Sequence, residues 1–223
     1  MIRHVLLLFL LWASTARAQD ELVHEPQAWF GVFSGGPLAG RFVGWFDAHA
    51  RFAFEPTKTT SILLRPGVGY RVRDDMTVFL GYLWAPVWRG GRQTLDEHRL
   101  WQQWTWDIPF QSGARVQVRS RFEERFAQGD VGLRFRQFVR AQTAPLFALR
   151  TILVIWDEVF LALNDTRFGQ RAGFDQNRLF FGVGYPLTRQ LRVEGGYFNQ
   201  YLPRPAAPDP MRHAAMLNLY VGF

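Results

Sequence analysis

The chain has 223 residues, of which 48% are hydrophobic, and it carries a formal net charge of +7 at pH 7. It contains no cysteine, which excludes both a disulfide framework and a lipid-modified cysteine. Such a basic balance can indicate a nucleic-acid partner. Here, however, Lys58 is the only lysine, and the arginines alternate with apolar residues instead of forming one basic run. We therefore predict no nucleic-acid partner.

Residues 1–18 have the pattern of a cleavable secretion signal. Arg3 supplies a short basic region, residues 5–12 form an apolar run, and Ala16 and Ala18 give the small-x-small pattern of a signal-peptidase site. The apolar run is too short to span a bilayer as a helix, so an uncleaved anchor is the weaker alternative. We expect cleavage after Ala18. Export without cysteine is typical of a bacterial envelope protein.

Eleven segments of the remaining chain alternate between polar and apolar residues and are bounded by turn residues, which predicts β-strands. They are residues 27–35, 40–54, 60–72, 76–87, 96–109, 114–126, 130–141, 147–161, 174–185, 189–202 and 211–223. The segment 147–161 also fits an amphipathic helix, because short apolar runs are ambiguous by periodicity alone. Short turns are predicted at residues 73–75, 111–113 and 186–188, and longer loops at residues 88–95, 164–173 and 203–210.

The alternation separates charged side chains from apolar ones. In residues 115–126, the odd positions carry four arginines, a glutamine and a glutamate, whereas the even positions are mostly apolar. An arginine facing lipid near the bilayer midplane costs about 2–4 kcal/mol, so in a membrane barrel the charged faces must line the lumen. A soluble periplasmic β-sandwich or lipocalin-like barrel, with these arginines in water, is the alternative. The Tyr and Trp residues on the apolar faces favour the membrane.

The predicted fold is therefore an all-β, antiparallel transmembrane β-barrel of about 10–12 strands in the bacterial outer membrane. Single-chain bacterial barrels have even strand numbers, which conflicts with eleven segments. We favour ten main strands in a barrel that spans residues 40–223. Residues 29–33 would then be an accessory segment, or half of a further pair, in an N-terminal segment of uncertain placement, residues 19–39.

The C-terminal strand carries a further signal. Leu217, Leu219, Val221 and the terminal Phe223 share one face. This arrangement resembles the C-terminal strand of outer-membrane barrels, which acts as an assembly signal. We therefore predict that Phe223 is recognised by the outer-membrane assembly machinery. The other expected partners are outer-membrane lipid and lipopolysaccharide, whose phosphates arginine binds well.

Short charged and aromatic motifs follow one another in a fixed order at residues 65–70, 81–82, 97–103, 119–125, 134–136, 157–160, 176–178, 182–185 and 196–197. In order and spacing they resemble the domain-of-unknown-function 2490 family of bacterial outer-membrane barrels. The resemblance covers most of the chain after the signal and is weakest before residue 40. It implies a barrel of uncharacterised role and brings no catalytic residues with it.

If the strands run as predicted, more arginines than glutamates face a narrow lumen. The predicted charged cluster consists of Arg51, Arg65, Glu97, Arg99, Arg121, Glu123, Arg125, Arg134, Arg136, Glu158 and Arg178. Because arginine forks match carboxylates bidentately, each glutamate can bridge more than one arginine. Such a network either fills the lumen of a structural barrel or lines a narrow channel that prefers anions.

A lipid hydrolase or acyltransferase of the outer membrane is the competing class of protein. Nucleophilic catalysis needs a serine with a histidine in hydrogen-bond reach, and Ser120 and His98 both point outward on neighbouring predicted strands. The predicted register places them about 13 Å apart, which is too far. No histidine or cysteine spacing suggests a metal ligand set. We therefore predict no catalytic residue, no metal site and no cofactor.

Overall fold

The computed structural model describes residues 22–54, 59–146, 150–204 and 208–222. In these ranges the chain forms eleven strands and no helix. The strands are β1 (Leu22–Ala39), β2 (Phe42–Ala53), β3 (Thr59–Arg73), β4 (Met76–Arg89), β5 (Arg92–Pro109), β6 (Arg115–Ala127), β7 (Asp130–Gln142), β8 (Ile152–Ala162), β9 (Gly173–Pro186), β10 (Leu191–Tyr201) and β11 (Asp209–Val221). They form one closed barrel, which confirms the predicted all-β barrel.

Several predictions fall on residues outside these ranges. The signal peptide at residues 1–18 and the assembly-signal residue Phe223 both lie there, as do residues 147–149 of one predicted strand. Residues 152–161 of that segment lie in strand β8, so the helical alternative is wrong for them. In the described part of the chain, no helix has the length and apolar character needed to cross a membrane.

The barrel closes through a parallel pair of strands. Consecutive strands pair antiparallel all the way from β1 to β11. The first and last strands then pair parallel, with Leu22 opposite Asp209 and Ser34 opposite Val221. We call this β1–β11 pairing the seam. An odd number of alternating strands requires it, because the first and last strands then run in the same direction.

The preference for ten strands is therefore wrong, and so is the barrel boundary at residue 40. Residues 29–33 belong to β1, which pairs with both β2 and β11. The expectation of an even strand number assumes that the first and last strands pair antiparallel. The alternation of residues within β1 does not indicate which strands pair with it. The described wall begins at Leu22.

The strand connections define two rims. The lower rim carries the β1–β2, β3–β4, β5–β6, β7–β8 and β9–β10 connections, and the upper rim carries the others. The predicted long loop at residues 88–95 is wrong, because β4 and β5 extend to Arg89 and Arg92. Gly90 and Gly91 join them with φ values of 56° and 76°, the left-handed conformations that a two-residue hairpin turn requires.

The two faces of the wall differ sharply in chemistry. On the outside, Leu80 is 61% exposed, Phe181 57% and Phe30 47%. On the inside, Arg121 and Glu123 are each 1% exposed. The inner and outer positions match the period-two assignment made from the sequence, because successive side chains of a strand point to opposite faces. Exposed apolar side chains therefore cover the outer face of the barrel, and the buried charged side chains lie inside.

Candidate functional site

The lumen wall has an apolar sector and a charged sector. The apolar sector lies on β8 to β11 and β1, where Trp29, Phe180 and Phe198 form one buried cluster with smaller apolar side chains, and a second cluster on β3 to β5 contains Leu63, Leu83, Ala85 and Trp101. Trp156 stacks on Phe180 with ring centroids 5.5 Å apart. The predicted charged cluster centres on β5, β6 and β7 and extends to β2, β3, β8 and β9.

Glu123 on β6 is the centre of the charged cluster. Its Oε2 accepts a hydrogen bond of 2.6 Å from Arg134 Nη2, and Arg136 Nη1 donates to its Oε1. Arg99 Nη1 lies 3.4 Å from Oε2, and Arg121 Nη1 lies 3.8 Å from Oε1. Four guanidinium groups thus surround one carboxylate, and three of them also contact a second carboxylate: Arg99 contacts Glu97, Arg134 contacts Asp175 and Arg136 contacts Glu158.

Glu97 extends the cluster toward the upper rim. Its Oε1 lies 2.9 Å from Arg99 Nε and 2.5 Å from Arg125 Nε. Since Arg99 also contacts Glu123, the two glutamates share one arginine. Arg125 in turn donates a 2.8 Å hydrogen bond to Gln170 in the β8–β9 loop, so the cluster is tied to the upper rim.

Glu158 on β8 extends the cluster in the other direction. Its Oε1 lies 2.7 Å from Arg136 Nη2 and 2.8 Å from Arg119 Nη2. Because Arg136 also binds Glu123, the three predicted glutamates belong to one connected network. Arg119 was not in the predicted cluster, although the same alternation that selected Arg121 places it inward.

Several partners of the predicted arginines lie outside the predicted cluster, among them Asp47, Gln103 and Asp175, whose Oδ2 lies 3.1 Å from Arg134 Nη1. Arg65 pairs with Asp47, 0% exposed, at 2.8 Å from Nη1 to Oδ1. Arg121 donates from Nε to Gln103 Oε1 at 2.8 Å. The alternation already placed Asp47 inward, but only the strand register, with Asp47 opposite Arg65 and Gln103 opposite Arg121, identifies the pairs.

Arg51 and Arg178 differ from the rest of the predicted cluster. Among the described residues, neither forms an ion pair with a carboxylate, and the Nε of each is buried without a hydrogen-bond partner. Their guanidinium carbons lie 4.0 Å and 5.5 Å from the ring centroid of Trp29. Arg178 also lies 4.5 Å from the Phe160 ring. The direct contacts of these two cations are therefore with aromatic faces.

Trp101 supports the cluster from the wall. It is 0% exposed, and the guanidinium carbon of Arg121 lies 4.5 Å from its ring centroid. The indole fits against β3 and β4 because Gly67 and Gly81 have no side chain there. A Cβ atom at Gly67 would lie 2.6 Å from Cη2 of Trp101, closer than side chains tolerate.

A second group of charges lies near the lower rim. Arg140 Nη1 donates to Glu194 Oε2 at 3.0 Å and lies 3.4 Å from the hydroxyl of Tyr220. Arg192 Nε lies 3.2 Å from Glu194 Oε1. The Arg140–Glu194 pair links β7 to β10 across the lumen. The alternation of polar and apolar residues predicts that these side chains face inward. It does not predict which of them are in contact, because β7 and β10 are not neighbouring strands.

The charged cluster lies between two cavities. The lower cavity has a volume of about 660 Å³ and reaches Asp74, Asp107 and Arg115 near the lower rim. The upper chamber has a volume of about 170 Å³, and among the described residues no carboxylate lines it. Its lining includes Arg51, Arg65, Arg99, Arg125, Arg134, Arg136, Arg178 and Arg212. Four of these, Arg51, Arg65, Arg136 and Arg178, also line the lower cavity.

The serine and histidine considered for an enzyme lie apart on the outer face. Ser120 is opposite Trp104, whereas His98 is opposite Phe126. Ser120 donates a 2.7 Å hydrogen bond to Gln137, and His98 contacts the hydroxyl of Tyr82. In the described ranges, no group of three or more His, Cys, Asp or Glu side chains is arranged to hold a metal ion.

Comparison with known proteins gives a family and one close relative. The model of a family described as protein of unknown function (DUF2490) matches residues 26–212. An uncharacterized protein of Methylorubrum extorquens is 36% identical over 230 aligned positions, which cover 100% of both chains. The predicted family resemblance is thereby confirmed.

One similar solved structure belongs to a larger protein. It is the siderophore receptor PirA from Pseudomonas aeruginosa, with 13% identity and a TM-score of 0.31. The match covers 74% of this chain and 33% of the receptor chain, so the chain spans about a third of the receptor's length.

Proposed function

The chain belongs to the DUF2490 family, and we propose that it is an outer-membrane barrel whose lumen forms a narrow, anion-preferring channel. One observation carries the proposal: Arg51, Arg65, Arg136 and Arg178 line both the lower cavity and the upper chamber. An ion that moves from one compartment to the other therefore passes these four guanidinium groups. Rings of arginine favour anions and repel cations.

The distribution of side chains supports the membrane location. A water-soluble barrel would keep apolar side chains such as Leu80 and Phe181 away from water, yet here they stand on the outer face. The inner face carries the arginines instead. Placing one arginine toward lipid costs about 2–4 kcal/mol at the midplane, so this wall fits a bilayer in only one orientation. The expected outer surroundings are outer-membrane lipid and lipopolysaccharide.

The excess of arginine over carboxylate supports the anion preference. The predicted cluster has eight arginines and three glutamates, and Asp47 at Arg65 and Asp175 at Arg134 add one carboxylate each. The charged cluster therefore keeps an excess of positive charge after these ion pairs are formed. A barrel that served only as a scaffold would gain nothing from unpaired charges, since each unpaired charge costs stability.

Planar-bilayer conductance of the refolded protein tests the proposal. Under a KCl gradient, we expect a small conductance with a reversal potential on the anion-selective side. Arg178→Glu should reduce the anion preference or reverse it. The matched control is Arg89→Glu, which makes the same charge change at an exposed position at the upper end of β4. A barrel that inserts but carries no current, or a cation-selective current, would refute the channel and favour a purely structural barrel.

A further inference from the structure

We propose that the upper chamber is a binding site for a small multivalent oxyanion such as phosphate or sulfate, held by Arg51 and Arg178. The inference deepens the proposed function, since it rests on the same arginine-rich lumen. Binding does not require that ions cross the barrel, so the two can fail separately.

The charge balance of the chamber is the first argument. Of the eight arginines in its lining, six also contact a carboxylate: Arg65 with Asp47, Arg99 and Arg125 with Glu97, Arg134 and Arg136 with Glu123, and Arg212 with Glu25. Arg51 and Arg178 remain as two cations without such a contact in the described part of the chain. A confined charge is costly unless it is paired. One dianion would neutralise both arginines at once.

The surroundings of the two arginines explain why the protein does not pair them itself. Arg178 stands opposite Glu158 in the strand register. Oε1 of Glu158, however, already accepts hydrogen bonds from Arg119 at 2.8 Å and Arg136 at 2.7 Å. Arg51 stands between Trp29 on β1 and Ser61 on β3, neither of which is acidic. Arg178 thus shares the charge of Glu158 with two arginines that bind it directly, and Arg51 has no acidic neighbour in the strand register, so the two guanidinium groups are the ones best placed to receive an external anion.

The aromatic contacts favour an anion with several oxygen atoms. The Trp29 ring lies 4.0 Å from the guanidinium carbon of Arg51 and 5.5 Å from that of Arg178. Stacking on a ring occupies the face of a guanidinium and leaves its N–H groups available at the edge. Those edges match the oxygens of phosphate or sulfate in bidentate pairs. The unpartnered Nε atoms of both residues supply donors for such pairs.

The size of the chamber limits the ligand. Its volume of about 170 Å³ exceeds by far the roughly 10–15 Å³ that one water molecule needs. A tetrahedral oxyanion fits together with a few water molecules. Apart from the arginines, the lining consists of the apolar Leu63, Phe160 and Leu202 and of Gln176 and Gln200, whose amides hydrogen-bond to each other. The site therefore suits an inorganic oxyanion better than an extended organic one.

Equilibrium dialysis with radiolabelled phosphate tests the site on detergent-solubilised, full-length protein. Chloride keeps the ionic strength constant. We expect saturable binding of about one phosphate per chain, with sulfate as competitor. The double substitution Arg51→Gln with Arg178→Gln should weaken binding at least tenfold. Arg115→Gln is the matched control, because it removes one lumenal arginine from the lower cavity and should leave phosphate affinity unchanged.

Thermal unfolding gives a second readout, in which the unfolding temperature of the double variant is compared with that of the wild type, first without and then with phosphate. Without oxyanions, the double variant should unfold at the same temperature as the wild type or higher, because two unpaired charges are gone. With phosphate present, only the wild type and Arg115→Gln should be stabilised.

The proposal is wrong if wild-type protein binds phosphate no better than chloride, or if the double variant binds phosphate as the wild type does. Phosphate binding without conductance would refute the channel alone, whereas anion conductance without phosphate binding would refute this site alone.

Discussion

At the scale of single residues, the lumen shares a few carboxylates among many arginines. Glu123 alone contacts Arg99, Arg121, Arg134 and Arg136. In such a network, the loss of one carboxylate leaves several cations without a counter-charge. The stability of the inner wall therefore depends far more on its glutamates than on any one arginine.

Glu123→Gln should destabilise the barrel by about 3–5 kcal/mol, because it breaks buried ion pairs from one side only. Urea unfolding of the refolded protein measures this change. Glu124→Gln is the control: its carboxylate is on the outer face and, within the described structure, accepts hydrogen bonds only from Gln102 Nε2, at 3.3 and 3.4 Å. It should change the unfolding free energy by less than about 0.5 kcal/mol. Equal effects of both substitutions would mean that Glu123 is solvated.

Gly67→Ala should also destabilise the barrel, by about 1–3 kcal/mol. The new Cβ would lie 2.6 Å from the Trp101 ring, so the indole and the Arg121 group on it must move. Gly195→Ala is the matched control, since its Cβ would have no neighbour nearer than 3.7 Å. Tryptophan fluorescence, together with the unfolding curve, should change for Gly67→Ala only. An unchanged spectrum would show that the indole has room.

At the scale of strands, the sequence predicts which face of the wall each side chain occupies, but not which strands pair to close the barrel. The period of two assigns Arg121, Glu123 and Arg136 to the lumen without any structure, because a side chain's face depends only on its position in its own strand. Which strand lies beside which is a different kind of information. The pairing of Trp29 with Met216 joins segments 187 residues apart, and nothing in either segment specifies the other.

The seam can be tested with a disulfide in this cysteine-free chain. Ala28 and Ala215 are paired neighbours on the outer face of β1 and β11. Ala28→Cys with Ala215→Cys should cross-link on mild oxidation, because adjacent strand positions fall within disulfide range. The control is Ala28→Cys with Ala214→Cys, whose second cysteine points into the lumen. Electrophoresis of the oxidised, unfolded protein measures the cross-link. If neither pair cross-links, β1 lies outside the wall.

At the scale of the whole molecule, the barrel presents an apolar outer wall around a polar lumen. The sequence predicts this inversion well, because every strand repeats it. It predicts the lumen chemistry less well. Arg51 and Arg178 look like the other cluster arginines in the sequence, and only the positions of Glu158, Trp29 and Phe160 in space separate them from the paired ones.

Substitutions on the outer wall test whether lipid or water surrounds the barrel. In lipid vesicles, Leu80→Arg should destabilise the barrel by about 2–4 kcal/mol, because it places a charge deep in the apolar band. Leu38→Arg is the control. Both leucines are 61% exposed, but Leu38 is next to the end of β1 at the lower rim, where the cost falls to about 0–1 kcal/mol. Equal, small effects for both would indicate a protein surrounded by water.

The location and the assembly of the protein can be tested in cells. The protein should fractionate with the outer membrane and migrate differently in detergent gels before and after boiling. Deleting Phe223 should reduce the inserted fraction, since the residue is predicted to be recognised during assembly. Recovery of the wild type in the soluble periplasmic fraction would contradict the membrane location. Normal insertion of the shortened chain would contradict the assembly signal alone.

The parallel seam also restricts how a barrel of this kind can change size. Duplicating or deleting a hairpin changes the strand number by two, so the first and last strands still run in the same direction. A seam that is parallel before such an event is parallel after it. Gain or loss of a single strand would make the first and last strands run in opposite directions. The whole ladder between β1 and β11 would then need a new hydrogen-bond pattern. Barrels related to this one by hairpin duplication therefore keep an odd number of strands.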